Sequence, residues 1–178
     1  MTLYRLVLRV LVATAVAGAV THAAAAGHSL RFFGTGYGDI DRVKVALANG
    51  GASRAVNVGG DFTIEFWLKA TAGQNTGAVA AGNTDAWING NIIVDRDVFG
   101  AGDNGDFGIS LGNERVAFGV AVGATAKTIV GATSVANGQW HHVAVTRRAD
   151  TGAMAIYVDG VLDAAAATGP SSAASSRP

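Results

Sequence analysis

The chain has 178 residues with 25 glycines, two prolines and no cysteine, and its 13 basic residues balance 13 acidic ones. So much glycine beside so little proline excludes a collagen-like or proline-rich disordered chain. The lack of cysteine excludes a disulfide framework, a thiolate nucleophile and a cysteine-based zinc site. Zero net charge argues against a nucleic-acid partner, because such binding is driven by neutralising many phosphates.

Hydrophobic residues reach 49 %, and many of them lie at the front. Residues 1–9 carry Arg5 and Arg9 and no acid, residues 10–20 (VLVATAVAGAV) are uniformly apolar and small, and residues 21–27 (THAAAAG) supply small residues. A basic start, an apolar stretch and an A-x-A tail form a secretory signal peptide. The apolar stretch is too short for a membrane anchor, which needs roughly 20 such residues. The expectation is a signal peptide over residues 1–26, cleaved after Ala26 or one residue earlier. It places the protein outside the cell, in the periplasm or at the cell surface, with no membrane span after cleavage. Loss of Arg5 and Arg9 leaves 11 basic and 13 acidic residues, a net charge of −2.

Past the leader, short runs of alternating apolar and polar residues are broken by Gly and Asn every eight to twelve positions, the pattern of an all-β sandwich or barrel. In chain order the predicted strands are 29–33 (SLRFF), 41–47 (DRVKVAL), 62–69 (FTIEFWLK), 91–97 (NIIVDRD), 107–111 (FGISL), 115–120 (RVAFGV), 139–147 (QWHHVAVTR) and 153–158 (AMAIYV). Gly112-Asn113-Glu114 reads as a tight hairpin, and Asp159-Gly160 opens a last one into Val161-Leu162. Only residues 164–167 have helix-like composition, in a run too short to be stable alone. The expected architecture is two packed antiparallel sheets, a jelly roll. Residues 171–178 (SSAASSRP) are of low complexity.

Three stretches carry a resemblance: DFTIEFWLK at 61–69, NGQWHHVAVTR at 137–147 and MAIYVDGV at 154–161. In that order they resemble the laminin G-like jelly roll of the concanavalin A-like lectin/glucanase superfamily. The resemblance implies a domain over 27–169, and the low-complexity composition beyond it predicts a disordered tail over 170–178. Members of that family usually continue past the Y-V-D-G hairpin with further strands. The resemblance therefore implies a domain lacking its last strands, with an open edge and reduced stability. It also implies a binding module, not an enzyme.

The acidic, glycine-rich stretch from Asp95 through Asp97, Asp103, Asn104 and Asp106 suits a hard cation such as Ca²⁺, which takes six to eight oxygen ligands. Related domains of the resembled family bind calcium on a rim. The same stretch also reads as a solvated hairpin whose Asp and Asn residues cap turns. Asp95 and Asp97 are the only plausible carboxylate pair for glycoside hydrolysis, and the E-x-D-x-E arrangement of glucanases of this superfold is missing. His141 and His142 are adjacent and point to opposite faces of a strand, so they cannot chelate one metal. For a sugar ligand the candidates are Trp87 as the best exposed ring, its neighbour Asn89, Trp67 on the polar face of its strand, and Tyr37 in a loop. Trp140 reads as packing. The expected function is recognition of a carbohydrate or extracellular protein through rim loops, with calcium as candidate cofactor. The alternatives are a structural or adhesive module of a larger surface protein and a glycoside hydrolase.

Overall fold

The structure is a computed structural model and describes residues 29–33, 42–46, 48–49, 52–53, 58–96 and 106–171. The chain divides into two units, Met1–Lys44 and Val45–Pro178. In the first unit, residues 29–33 and 42–44 are irregular, and the Arg31 guanidinium sits 4.7 Å over the Phe33 ring. The strands expected at 29–33 and 41–47 are therefore not formed over their described residues. Alternation fixes which way side chains would point; it does not supply the neighbour whose N–H and C=O groups complete a ladder.

Among its described residues the second unit holds ten strands: β1 (Ala48–Asn49), β2 (Ala52–Ser53), β3 (Phe62–Lys69), β4 (Asn91–Arg96), β5 (Asp106–Gly112), β6 (Arg115–Val122), β7 (Thr125–Ser134), β8 (Trp140–Arg147), β9 (Met154–Val158) and β10 (Val161–Ala166). One 3-10 turn, Ala86–Asn89, precedes β4. β1 and β2 pair with each other, and the rest form two antiparallel sheets of four strands, ordered β10-β9-β8-β3 and β4-β5-β6-β7. This is the all-β, two-sheet sandwich that the spacing of short strands predicts. Sequence reasoning missed β7, whose Ala, Thr and Gly residues blur its alternation. It also read 164–167 as helix-like, whereas Ala164, Ala165 and Ala166 pair with β9, because a neighbouring strand overrides the helical preference of alanine.

Between the sheets lie Phe107, Ile109, Leu111, Val116, Phe118 and Val120 from β5 and β6, against Phe62, Val143, Val145, Met154, Ile156 and Val158 from β3, β8 and β9. Phe62 stacks on Phe107 with ring centroids 4.8 Å apart and meets Phe118 edge-on at 6.1 Å. Each such side chain, once buried, contributes about 1.5–3 kcal/mol of transfer free energy. Arg147 is buried at the end of β8, where it donates from Nη1 to Gly59 O (2.7 Å) and from Nη2 to Pro170 O (3.3 Å).

Two expected turns form as two-residue hairpins with left-handed backbones, Asn113 and Glu114 at φ 52° and 66°, and Asp159 and Gly160 at φ 52° and 80°. Such turns match the twist of the flanking strands. The Glu114 turn also anchors its surroundings. Its carboxylate accepts the Gly73 N–H at 2.6 Å, and its carbonyl accepts the Val135 N–H at 2.9 Å.

Candidate functional site: an aromatic face on one sheet

The outer faces of the two sheets are built differently. Over β5, β6 and β7 the 3-10 turn forms a roof. Gly108 and Gly119 are cross-strand partners, and Gly119 in turn faces Thr128. The Trp87 indole lies in the bay these two glycines leave, where any Cβ would collide with its ring. Polar bonds pin it: the Trp87 N–H donates to Thr128 Oγ1 (3.2 Å), Ser110 Oγ donates to Trp87 O (2.8 Å), and Thr128 Oγ1 donates to Thr84 O (2.8 Å).

Trp87 is therefore 1 % exposed, which corrects the expectation that it is the most accessible ring for a sugar. The sequence held a signal for this, since glycine inside a strand marks a place where something approaches the backbone closely. Its Nε1 is buried without an acceptor, a cost that the burial of a large aromatic surface offsets. Asn89, at the end of the same turn, is exposed, while Tyr37 lies outside the described residues.

The outer face of β10-β9-β8-β3 carries no such roof among the described residues. Strand alternation puts Thr63, Glu65, Trp67 and Lys69 of β3 there, beside Trp140, His142, Ala144 and Thr146 of β8. The register pairs Trp67 with His142 and Lys69 with Trp140, so the two indoles are diagonal neighbours on adjacent strands. Both are open to solvent, Trp67 at 64 % and Trp140 at 49 % exposure. The reading of Trp140 as packing is thus corrected. Its own strand showed why, since alternation that buries Val143 and Val145 sends Trp140 outward.

Trp67 packs on the His142 ring with centroids 5.4 Å apart at a 59° tilt, and His142 Nε2 lies 3.5 Å from Glu65 Oε2. Tyr157 of β9 and Leu162 of β10, cross-strand partners, extend the face. The result is a flat apolar strip with one carboxylate and one ammonium at its border.

His141 points the other way and is tied down. Its Nδ1 lies 2.7 Å from Asp159 Oδ2 and its Nε2 lies 3.0 Å from Asn137 Oδ1. The second Asp159 oxygen accepts the His142 N–H at 2.9 Å. The His141 side chain and then the His142 N–H hold the Asp159 carboxyl below the ordinary carboxylate range. Hydrogen bonds to an ionised carboxylate favour the charged form.

Of the acidic stretch, Asp97, Asp103 and Asn104 lie outside the described residues. Asp95 of β4 pairs with Gly108, and Asp106 is two residues from Gly108 on β5, so both carboxylates sit on the outer face at one end of that hairpin. Among the described residues no three acidic or histidine side chains gather as a metal site. No helix of the described residues is long and apolar enough to cross a membrane.

A search of curated proteins finds no match to this chain. A laminin G family model matches residues 38–178, a span that takes in both four-stranded sheets, the Trp67/Trp140 face and the His141–Asp159 tie. Domains of this kind serve in general as ligand-binding modules. The chain belongs to the laminin G-like family of the concanavalin A-like lectin/glucanases superfamily.

Proposed function

We propose that this chain is an exported, non-catalytic binding module that recognises a carbohydrate on the Trp67/Trp140 face. The observation that carries the reading is the pair of exposed indoles on one sheet face, diagonal to each other and backed by a fully buried inner layer of Val143 and Val145. A solvated indole is a large apolar surface that needs a reason to stay open. The C–H face of a sugar ring is flat and apolar enough to cover it, while Glu65, Lys69 and His142 at the border offer hydrogen bonds to hydroxyl groups. Strands hold these rings more rigidly than rim loops would, so little ordering cost falls on binding. The contact surface therefore moves from the rim loops, where Trp87 is walled in, to the sheet.

Export rests on the leader at residues 1–26 and fits a module that meets glycans outside the cell. A calcium-assisted rim is the second reading, favoured by Asp95 and Asp106 sharing one face beside the acidic stretch. There the metal would supply charge for hydroxyl or carboxylate oxygens of a ligand, and the two aspartates would be among its holders.

A glycan array probed with and without EDTA separates these readings. Signal that persists in EDTA and vanishes with Trp67→Ala supports the sheet face. Signal lost in EDTA alone supports the rim. An array with no signal at all favours a structural or adhesive module.

A further inference from the structure

Each four-stranded sheet has two outer strands, and three of those four edges carry a device that hinders pairing with another strand. β4 is bulged between Ile92 and Val94. On β7, Gly82 takes both ladder bonds of Thr128 (3.0 and 2.9 Å), and the Asp163 carboxylate accepts the Thr133 N–H at 3.1 Å. β10 is bulged between Leu162 and Ala164, with Asp163 turned in toward β7. Bulges, inward charges and covering segments are the known means of blunting a sheet edge.

β3 has none of these among the described residues. It runs in unbroken register with β8 from Phe62 to Lys69, holds no proline, and places no charge on its inner face. Its inner residues Ile64, Phe66 and Leu68 are only partly buried against the core, while Val143 and Val145 one strand away are fully buried. A long, flat edge with no bulge, no inward charge and a half-wet apolar row is a template for strand addition.

We infer that β3 is a self-association edge, on which a second copy of this chain pairs antiparallel. The outer row selects this occupant. A two-fold axis at Trp67 sets Glu65 against Lys69 of the second copy and Lys69 against its Glu65, two opposite-charge cross-strand pairs from one pattern. On the inner side the same register sets Phe66 against Leu68 of the second copy, closing both half-buried rows at once. It joins the two sheets into one of eight strands, with Trp67 beside Trp67 at the axis and the Trp140 rings flanking them. The inference does not depend on the ligand being a glycan.

Sedimentation of the full chain tests it. A species of twice the monomer mass is expected, and Glu65→Lys or Lys69→Glu should weaken dimerisation by about tenfold by turning both attractions into repulsions. The double swap E65K/K69E should restore it. Because the chain has no cysteine, single cysteine variants report the register. W67C at the axis should cross-link the two copies, and T63C, far from its own copy, should not. Far-UV circular dichroism confirms that each variant is folded. A monomer at every concentration, a dimer indifferent to both charge reversals, or T63C cross-linking in place of W67C overturns the inference.

Discussion

The carboxylate of Asp159 lies 2.7 Å from Nδ1 of His141 and also accepts the His142 N–H at 2.9 Å. Asp159 returns its own N–H to the His142 carbonyl at 2.8 Å. One aspartate in the β9–β10 turn thus fastens the start of β8, and the W-H-H and Y-V-D-G motifs form one physical unit. Asp159 can do this because the turn holds it at φ 52°, in the left-handed region that aspartate tolerates better than most residues.

That tie makes stability depend on acid. The folded state holds the Asp159 carboxyl below the ordinary carboxylate value, so the unfolded chain binds the proton more readily. The contribution is then complete above about pH 4, the unfolded value, and is lost as pH falls through the lower folded value. Asp159→Asn should lower the urea midpoint at pH 7 and flatten its decline below pH 4. A variant whose midpoint declines in acid as steeply as the parent's would contradict this role.

The roof over the second sheet should be intolerant of any added carbon. Gly119→Ala and Gly108→Ala force a methyl group into the Trp87 ring, and overpacking of this kind costs about 1–3 kcal/mol. Trp87→Ala leaves the bay empty and should cost about 3–5 kcal/mol. Urea unfolding measures all three. Glycan binding by each variant should persist wherever the fold does, since Trp87 touches no solvent-facing site.

Much of the fold was legible in the sequence, for a simple reason. FTIEFWLK and WHHVAVTR alternate cleanly because one side faces the core and the other water, so period two appears in the letters. β7 has small residues on both sides and blurs that signal. Trp87 was misplaced because DAWING looks like an exposed loop, and its burial depends on Gly108 and Gly119, about 20 and 30 residues away. Those glycines lie inside the predicted strands 107–111 and 115–120, and the bay they leave emerges only when the two strands are set side by side. The exposed pair Trp67 and Trp140 likewise needs the β3–β8 register, which no local pattern states.

Asp163 closes one side of the sandwich, accepting from Thr133 Oγ1 at 2.6 Å and from the Thr133 N–H at 3.1 Å. Asp163→Ala takes the acceptor from both Thr133 donors, which are exposed, so water replaces it and the loss should be about 0.5–1.5 kcal/mol. Hydrogen exchange should show the loss at the β7 and β10 amides first. Equal loss across β3 and β8 would mean that this contact is not what seals the side.

The calcium reading has its own test. Asp95→Asn with Asp106→Asn should abolish any heat of Ca²⁺ binding and any calcium-induced rise in melting temperature. A rise retained in the double variant would remove both residues from the metal's shell.

The central claim is that recognition occurs on the sheet face, and titration calorimetry with a glycan that scores on the array tests it most directly. Trp67→Ala and Trp140→Ala should each weaken binding by about tenfold or more, as expected for losing one stacked ring. Their melting temperatures should stay near that of the parent, because both rings are solvent-exposed. Undiminished affinity in the variant lacking both rings, with the fold intact, would contradict the account.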